Sequence, residues 1–424
     1  MNLLGEYRWR GMLQDSTEGT EAALAEGPVT GYIGFDPTAA SLHVGNLVPI
    51  MGLVRLQRAG HHPIVLGGGG TGLIGDPSGK TEERQLLTTE EAAENLAGIS
   101  RQLEHFLDFD GSTNPARTFD NLDWLSEISM VDFLRDVGKH FSVNALLKKE
   151  SIRRRLENEE TGISYTEFSY ALLQAYDFVQ LNERYGCTLQ LGGSDQWGNI
   201  TAGIDLVRRM RGEKVYGITY PLLTDAGGHK FGKTEAGAVW LDPARTSPYR
   251  FYQFWMTADD RDVIRYLRCF TLLGPEEISE LEAIHAEHPD ERAAHRALAE
   301  DVTGRVHGED ALASAQRATG VLFGGEISGL GADEIADVFA DVPSSEIARV
   351  ELEGDGTGVL DLFADASVCK SRGEARRSIE GGGLSINNAR VEKVEAMVTI
   401  ADAIEGRFLI LRRGKKNYHM VRIS

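Results

Sequence analysis

Three groups of residues have the types and spacing for chemistry. His43 and Asn46 lie three apart where a helix should open, just after the strand-like run Val29–Phe35. A ring N–H and a side-chain amide there add to unpaired main-chain N–H groups and the positive end of the helix dipole, which suits a phosphate. Gly45, between them, lets a flat ring or a phosphate come close. Taken alone, the pair reads equally as the cap of an ordinary helix. Far downstream stands Lys230-Phe231-Gly232-Lys233-Thr234, between Gly227-Gly228 and Gly237. Two ammonium groups on a glycine-flanked segment form a movable clamp for a polyphosphate, most useful when charge grows on a leaving pyrophosphate. A surface turn accounts for the same residues. The third group is a stripe. Tyr170, Gln174 and Asp177 fall at i, i+4 and i+7 of a helix predicted over Ser164–Asn182. Their neighbours Ala171, Leu172, Leu173, Ala175 and Phe178 are apolar, so the stripe lines a cavity unless the face is simply solvated.

Two familiar patterns nearby are decoys. Gly67-Gly68-Gly69-Gly70-Thr71-Gly72 satisfies G-x-G-x-x-G after a strand, but Gly75-Asp76-Pro77 follows too soon for a helix to open and hold a dinucleotide. Gly75 to Thr81 resembles a phosphate-binding P-loop with one residue too few between its glycines. Lys80 and Arg84, beyond this loop, either reach a pyrophosphate or stay solvated.

These residues need a scaffold. Val29–Phe35, Pro63–Gly67, Cys187–Gly192 and Tyr216–Leu223 read as strands, most of them leading into helical periodicity. That alternation predicts an α/β, doubly wound, mostly parallel sheet, with ligands beyond the carboxyl ends of its strands. We expect a catalytic domain over 1–225 with a helical insertion over about 88–180. The signature segment and an α-helical domain follow over 226–323. A glycine-rich linker over 324–356, with one weak helix at Ala332–Ala340, leads to a small α+β unit over 357–424.

Composition sets the class. The chain has 424 residues, 42% apolar and 25% charged, which at roughly 150 residues per domain implies two to four globular domains. No apolar run reaches the roughly 18–20 residues of a membrane helix, and Met1–Arg10 lacks a signal peptide's apolar stretch. Three scattered cysteines, Cys187, Cys269 and Cys369, exclude a disulfide framework and a cysteine-based zinc site and point to a reducing cytoplasm. The net charge of −20 is unevenly spread, since residues 357–424 carry +4 and the remainder −24. A basic tail on an acidic body suggests a polyanionic partner reached by the C-terminus.

H-x-G-[HN] after the first strand and K-x-x-K-[ST] after the last resemble the two signatures of the class I aminoacyl-tRNA synthetases. Gly34-Phe35-Asp36-Pro37-Thr38, Gly72 to Lys80, and Gly192-Gly193-Ser194-Asp195-Gln196-Trp197-Gly198-Asn199 sharpen this to a resemblance to the bacterial tyrosyl-tRNA synthetase family over essentially the whole chain. Asn46 replaces the usual His, Phe231-Gly232 replaces Met-Ser, and Ile33 stands where many relatives have Cys.

The resemblance implies a Rossmann-like catalytic domain, a helical anticodon-side domain and an S4-like RNA-binding domain. It implies activation of L-tyrosine by ATP, as Mg-ATP, and transfer to tRNA(Tyr), with no protein-ligated metal. Tyr32 and Asp177 would meet the phenolic OH, and Tyr170, Gln174 and Asp76 the ammonium. Gln196 would meet the carboxylate side. Gly34, Asp36, His43, Gly45, Asn46, Asp195 and Lys233 would bind ATP. His43, Asn46 and Thr38 would hold its phosphates, Lys230, Lys233 and Thr234 would close over pyrophosphate, and Lys80 and Arg84 would assist. Lys370, Arg372, Arg376 and Arg377, with Arg412, Arg413, Lys415 and Lys416, would contact tRNA. A cytoplasmic homodimer, formed through the insertion and needing no membrane, completes the expectation. The competing readings are the tryptophan branch of the same class and an RNA-binding regulator on an inactive synthetase fold.

Overall fold

The computed structural model describes residues 2–78, 87–111, 113–149, 152–153, 156, 162–229, 231–234, 237–321, 327, 329–340, 342–414 and 417–424. Two compact units emerge, one of Met1–Arg245 with Trp255–Val306, the other of Thr246–Phe254 with His307–Ser424.

The first unit is built on six strands: β1 (Asp15–Ser16), β2 (Thr30–Phe35), β3 (His62–Gly67), β4 (Arg117–Asp120), β5 (Cys187–Gly193) and β6 (Tyr216–Tyr220), ordered β1-β6-β5-β2-β3-β4. All pairs are parallel except β1 with β6. The chain runs outward one way through β3 and β4, then returns to lay β5 and β6 on the other side of β2. The carboxyl ends of β2 and β5 therefore flank the crevice where the winding reverses, the place ligands occupy in such sheets. The four predicted strands are all present. Missing from the prediction were β1 and β4, the two edge strands, which are short and polar.

Helices α1 (Leu3–Trp9), α2 (Leu47–Arg58), α3 (Thr89–Leu103), α4 (Tyr165–Tyr185) and α5 (Trp197–Arg211) belong to this unit. Ser164 caps α4 by accepting from the Glu167 N–H, and Gly186 ends it at φ +64°, a conformation L side chains resist. Beneath β2 and β3 lie Phe178, Ala175, Leu181, Trp124 and Leu206, so one flank of the crevice rests on a close-packed core. Helices α6 (Val263–Phe270), α7 (Pro275–Glu287) and α8 (Ala293–His307) were expected in a separate domain. All but the last residue of α8 fall in the first unit. Buried Arg55 explains α6, because its guanidinium donates to the carbonyls of Cys269 and Thr271, each at 2.9 Å.

The second unit holds a sheet ordered β12 (Ala389–Arg390), β11 (Leu384–Ile386), β14 (Phe408–Arg413), β15 (Asn417–Ile423), β9 (Ser344–Ile347), and a separate antiparallel pair of β10 (Thr357–Gly358) with β13 (Met397–Val398). Alternation along β14 buries Leu409 and Leu411 with Val359, Phe363 and Ile379, from α11 (Val359–Asp365) and α12 (Arg372–Glu380). The opposite residues Phe408 and Ile410 pack with Val321, Ile335 and Phe339, near α9 (Glu309–Val321) and α10 (Ala332–Val338). The stretch 324–356 is thus more than a linker. It supplies α10, as predicted, and β9, which joins β15 in parallel. The Asn387-Asn388 turn has positive φ at both residues, 49° and 64°. No helix among the described residues is long and apolar enough to cross a membrane.

Candidate active site

A cavity of about 750 Å³ opens at the carboxyl ends of β2 and β5. Tyr32, Gly34, Asp36, Thr38, His43, Gly45, Asn46, Asp76, Tyr170, Gln174, Asp177, Asp195 and Gln196 all line it, although in sequence they span most of the first unit. Two of the other predicted residues, Lys233 and Thr234, form the strand β7, paired antiparallel with β8 (Gly237–Ala238). Lys80, Arg84 and Lys230 lie outside the described residues.

One end of the cavity suits a phenol. Tyr32 projects from β2, fully buried, and its hydroxyl has no hydrogen-bond partner. Beside it, the Asp177 carboxylate accepts from Trp124 Nε1 at 2.8 Å and Asn121 Nδ2 at 3.0 Å. Burial pushes the Asp177 carboxyl up to about 8, against the pull of those two donors. Gln190 adds a second buried acceptor without a partner, its Oε1. Trp124, Asn121 and Gln190 were missed by sequence reasoning. The first two come from the insertion, where nothing in the local pattern distinguishes them.

The middle is rich in carboxylate. Tyr170 donates to Asp36 Oδ2 at 2.9 Å, and Thr71 donates to Asp36 Oδ1 at 2.8 Å. Asp36, expected at ATP, thus braces Tyr170. Asp76 Oδ2 accepts from Gln196 Nε2 at 2.7 Å. Asn199, part of the Gly192–Asn199 motif but unassigned from sequence, donates to Gln174 Oε1 at 3.1 Å and to Gln196 Oε1 at 3.2 Å. These contacts fix the acceptors Asp76, Gln174 and the Tyr170 oxygen around one side of the cavity, a set matched to an ammonium group. Lys149, close enough to feel the Asp76 charge, has a buried Nζ with no partner, and burial pushes it down to about 8.

The other end suits phosphate. His43 caps the turn into α2, and its Nδ1 accepts the Gly45 N–H at 3.0 Å. Nε2 therefore carries the ring proton and acts as donor. Asn46 Oδ1 accepts the His43 N–H at 3.0 Å, which leaves its amide nitrogen as the donating end. Gly45 is required by the His43 ring itself, since a Cβ there would lie 2.7 Å from Cε1. The two signature segments touch. Val44 N–H donates to the Val239 carbonyl at 2.9 Å and Leu241 N–H to that of Leu42 at 2.8 Å. A Cβ at Gly232 would meet Val44 Cγ2 at 2.7 Å. Phe231, at the root of the segment, is buried against Tyr266 and Phe270, with ring centres 4.9 and 5.1 Å away.

In the second unit Arg372 is paired with Asp361, Arg413 with Glu374 at 2.8 Å, and Arg412 donates to the Tyr418 hydroxyl at 3.2 Å. Lys370, Arg376 and Arg377 are exposed. Lys415 and Lys416 lie outside the described residues.

Comparison with known proteins agrees with this geometry. Residues 24–324 match the family model of class I tRNA synthetases (W and Y), and residues 334–421 match the tyrosine–tRNA ligase SYY-like C-terminal domain. The tyrosine–tRNA ligase of Roseiflexus castenholzii is 56% identical over 421 residues, covering 99% of each chain. That of Geobacillus stearothermophilus is 51% identical over 427 residues, covering 100% of each. A truncated mitochondrial tyrosyl-tRNA synthetase from Aspergillus nidulans superposes with a TM-score of 0.69 at 29% identity, over 76% of this chain and 94% of that one. A tryptophanyl-tRNA synthetase from Encephalitozoon cuniculi shares the fold, with a TM-score of 0.52 at 14% identity over 74% of this chain and 89% of that one.

Proposed function

The chain belongs to the tyrosine–tRNA ligase family of class I tRNA synthetases, and from that premise we propose how its cavity residues divide the work. The activity is that of an aminoacyl-tRNA ligase: tyrosine and ATP give tyrosyl-adenylate and pyrophosphate, and the tyrosyl group passes to the 3′ end of tRNA. In the first step the tyrosine carboxylate attacks the α-phosphorus of ATP, which enters as its magnesium complex. A P–O bond forms as the bond to pyrophosphate breaks. No side chain serves as nucleophile, so alignment and stabilisation of the transferring phosphate supply the rate.

The observation that carries the assignment is the Tyr32 hydroxyl, buried without a partner beside Asp177. A substrate phenol between them gives one hydrogen bond and receives one. An indole has a donor and no acceptor, so it would leave the Tyr32 proton unpaired. Asp76, Gln174 and Tyr170 then hold the ammonium, and Gln196 lies on the carboxylate side. Asp195 and Gly34 meet the ATP ribose side. His43, Asn46 and Thr38 hold the phosphates, and Lys230, Lys233 and Thr234, helped by Lys80 and Arg84, draw off pyrophosphate.

Met130, Val131, Val143 and Tyr165, on the insertion and at the start of α4, are large apolar side chains left exposed, and they support a homodimer. Sedimentation showing a monomer at micromolar concentration would overturn that part. Exposed Lys370, Arg376 and Arg377 support a tRNA contact in the second unit, and the scattered, buried free cysteines suit the cytoplasm. The direct test is ATP–pyrophosphate exchange with each amino acid. Exchange should require tyrosine, and Lys233→Ala and His43→Ala should each slow it by roughly 10²–10³-fold with tyrosine affinity unchanged. Tyrosine binding that weakens in step with the rate would remove these residues from the transition state.

A further inference from the structure

The His43 ring is held from two directions. Its Nδ1 accepts the Gly45 N–H at 3.0 Å, which leaves Nε2 as the donor. The terminal torsion of a histidine is broad, so one such bond still lets the ring rock. Trp240, which follows β8, supplies the second contact and pairs with His43 in an isolated antiparallel bridge. The bonds of that bridge run from Val44 N–H to the Val239 carbonyl and from Leu241 N–H to that of Leu42. They flank the two residues rather than join them. His43 and Trp240 therefore form a non-hydrogen-bonded pair, the kind in which facing side chains come closest. Their ring centres are 6.0 Å apart and their planes cross at 72°, the edge-to-face arrangement that aromatic rings favour.

Trp240 has a brace of its own. The chain turns after it, with the Arg245 N–H donating to the Asp242 carbonyl at 3.0 Å. That turn brings the Arg245 guanidinium back over the indole, its Cζ 3.3 Å from the ring centre. A guanidinium is flat, stacks on an aromatic face and is drawn to it by the ring quadrupole. The two segments are also tied through a third. Asp242 N–H and Gln102 Nε2, from α3, both donate to Ser41 Oγ, at 3.2 and 2.9 Å, while Gln102 Oε1 accepts the Leu42 N–H at 2.8 Å. His43 lines the cavity and Trp240 does not, so Trp240 can act on the substrates only through its neighbours.

We propose that Trp240, braced by Arg245, is a positioning residue for His43 in adenylate formation. The inference rests on the reading of His43 as a donor to the ATP phosphates. A donor helps the transition state only from a set place, and a shift of about 1 Å can lower a rate by roughly a hundredfold. Holding the ring before ATP arrives also spares its reorganisation as charge moves onto the phosphates. Nothing in the apolar run Ala238-Val239-Trp240-Leu241 announces this role, because its partner lies almost two hundred residues earlier in the chain.

The test is a double-mutant cycle on the single-turnover rate of adenylate formation in the full-length enzyme, with tyrosine affinity and melting temperature measured beside it. Trp240→Leu should slow the step roughly tenfold at constant tyrosine affinity, and Trp240→Phe should recover most of the rate. Arg245→Ala, at an exposed position, should slow it roughly twofold to fivefold, and it serves for the cycle should Trp240→Leu melt early. In a His43→Ala background both losses should vanish, because the ring they position is gone. In a Lys233→Ala background both should persist. An unchanged rate for His43→Ala alone overturns the reading of the phosphate end and this inference with it. A slowed His43→Ala enzyme in which Trp240→Leu and Arg245→Ala still act in full overturns the inference alone.

Discussion

Burial deprives the Asp177 carboxyl of its solvation, and that makes stability depend on pH. Its value rises from 3.8 to about 8 on folding. Across that window the native chain holds a proton that the unfolded chain has shed, so this group's stabilising contribution is complete below 3.8 and is lost as pH climbs to about 8. Urea unfolding of wild type and Asp177→Asn from about pH 5 to about pH 9 should show the wild type losing ground as pH rises, with a flatter profile for the variant. Identical slopes would mean the carboxyl is ionised throughout. Tyr32→Phe acts on choice of substrate. Removing a hydroxyl that pairs only with a bound phenol should lower kcat/KM for tyrosine by roughly 1–3 kcal/mol, some tenfold to a hundredfold, and leave phenylalanine little changed. Exchange kinetics with both amino acids decide it. Asp177 and the rest of the α4 stripe were legible in the sequence because helical periodicity puts them on one face, whereas Tyr32, on β2, was legible only through the family resemblance. The donors that hold Asp177 were not, because Asn121 and Trp124 lie more than fifty residues earlier in the chain and reach it only through the fold.

At the scale of elements, the contact between the two signature segments is the feature most open to test. Gly232 sits at φ +82°, where its Cβ would meet Val44 Cγ2 at 2.7 Å and the Gly45 nitrogen at 3.1 Å. Gly232→Ala is therefore strained twice, by conformation and by backbone contact, at an expense of about 1–3 kcal/mol. It should reduce the rate of adenylate formation more than tenfold while tyrosine affinity, set at the far end of the cavity, stays constant. Rapid-quench rates beside equilibrium tyrosine binding separate these, and an unchanged rate would show that the segment shifts without consequence. The parallel strands β2, β3, β5 and β6 and the helix α4 were legible because buried strands read as apolar runs and α4 carries its own cap and stop. β4 and β9 were not. Asp120 and Arg117 bound the first, and glycines and acids surround the second, so each is a strand only because a neighbouring edge accepts it.

For the whole molecule, charge divides the labour. Residues 357–424 carry +4 against −24 for the rest. Several of their cations are engaged internally, so tRNA contact should fall on the exposed Arg376 and Arg377. Replacing both with Ala should lower the log–log salt slope of tRNA affinity by roughly 1.5, at about 0.7–0.9 per phosphate contact, and leave tyrosine-dependent exchange intact. An unaltered slope would locate the RNA elsewhere. Point variants are preferable to deletion from Thr357, because Phe408, Ile410, Tyr418 and Met420 share a core with Val321, Ile335 and Phe339. A cut there would remove most of the sheet and leave Val321, Ile335 and Phe339 without their apolar cover.

The pinning of the signature segment at both ends sets how far its lysines must search. Phe231 N–H is held by the Leu223 carbonyl at 3.0 Å, and Val239 is tied to Val44 at 2.9 Å. Seven residues lie between those anchors, and closing a loop carries an entropy growing only as the logarithm of its length. Folding has already met that entropy before ATP arrives. On the proposed reading of Lys230 and Lys233, the clamp would act as a tethered reagent, at an effective concentration in the millimolar range or above, however dilute the enzyme. Insertion of a few residues between the anchors would lower that concentration gently, and loss of either anchor would lower it further by lengthening the free loop.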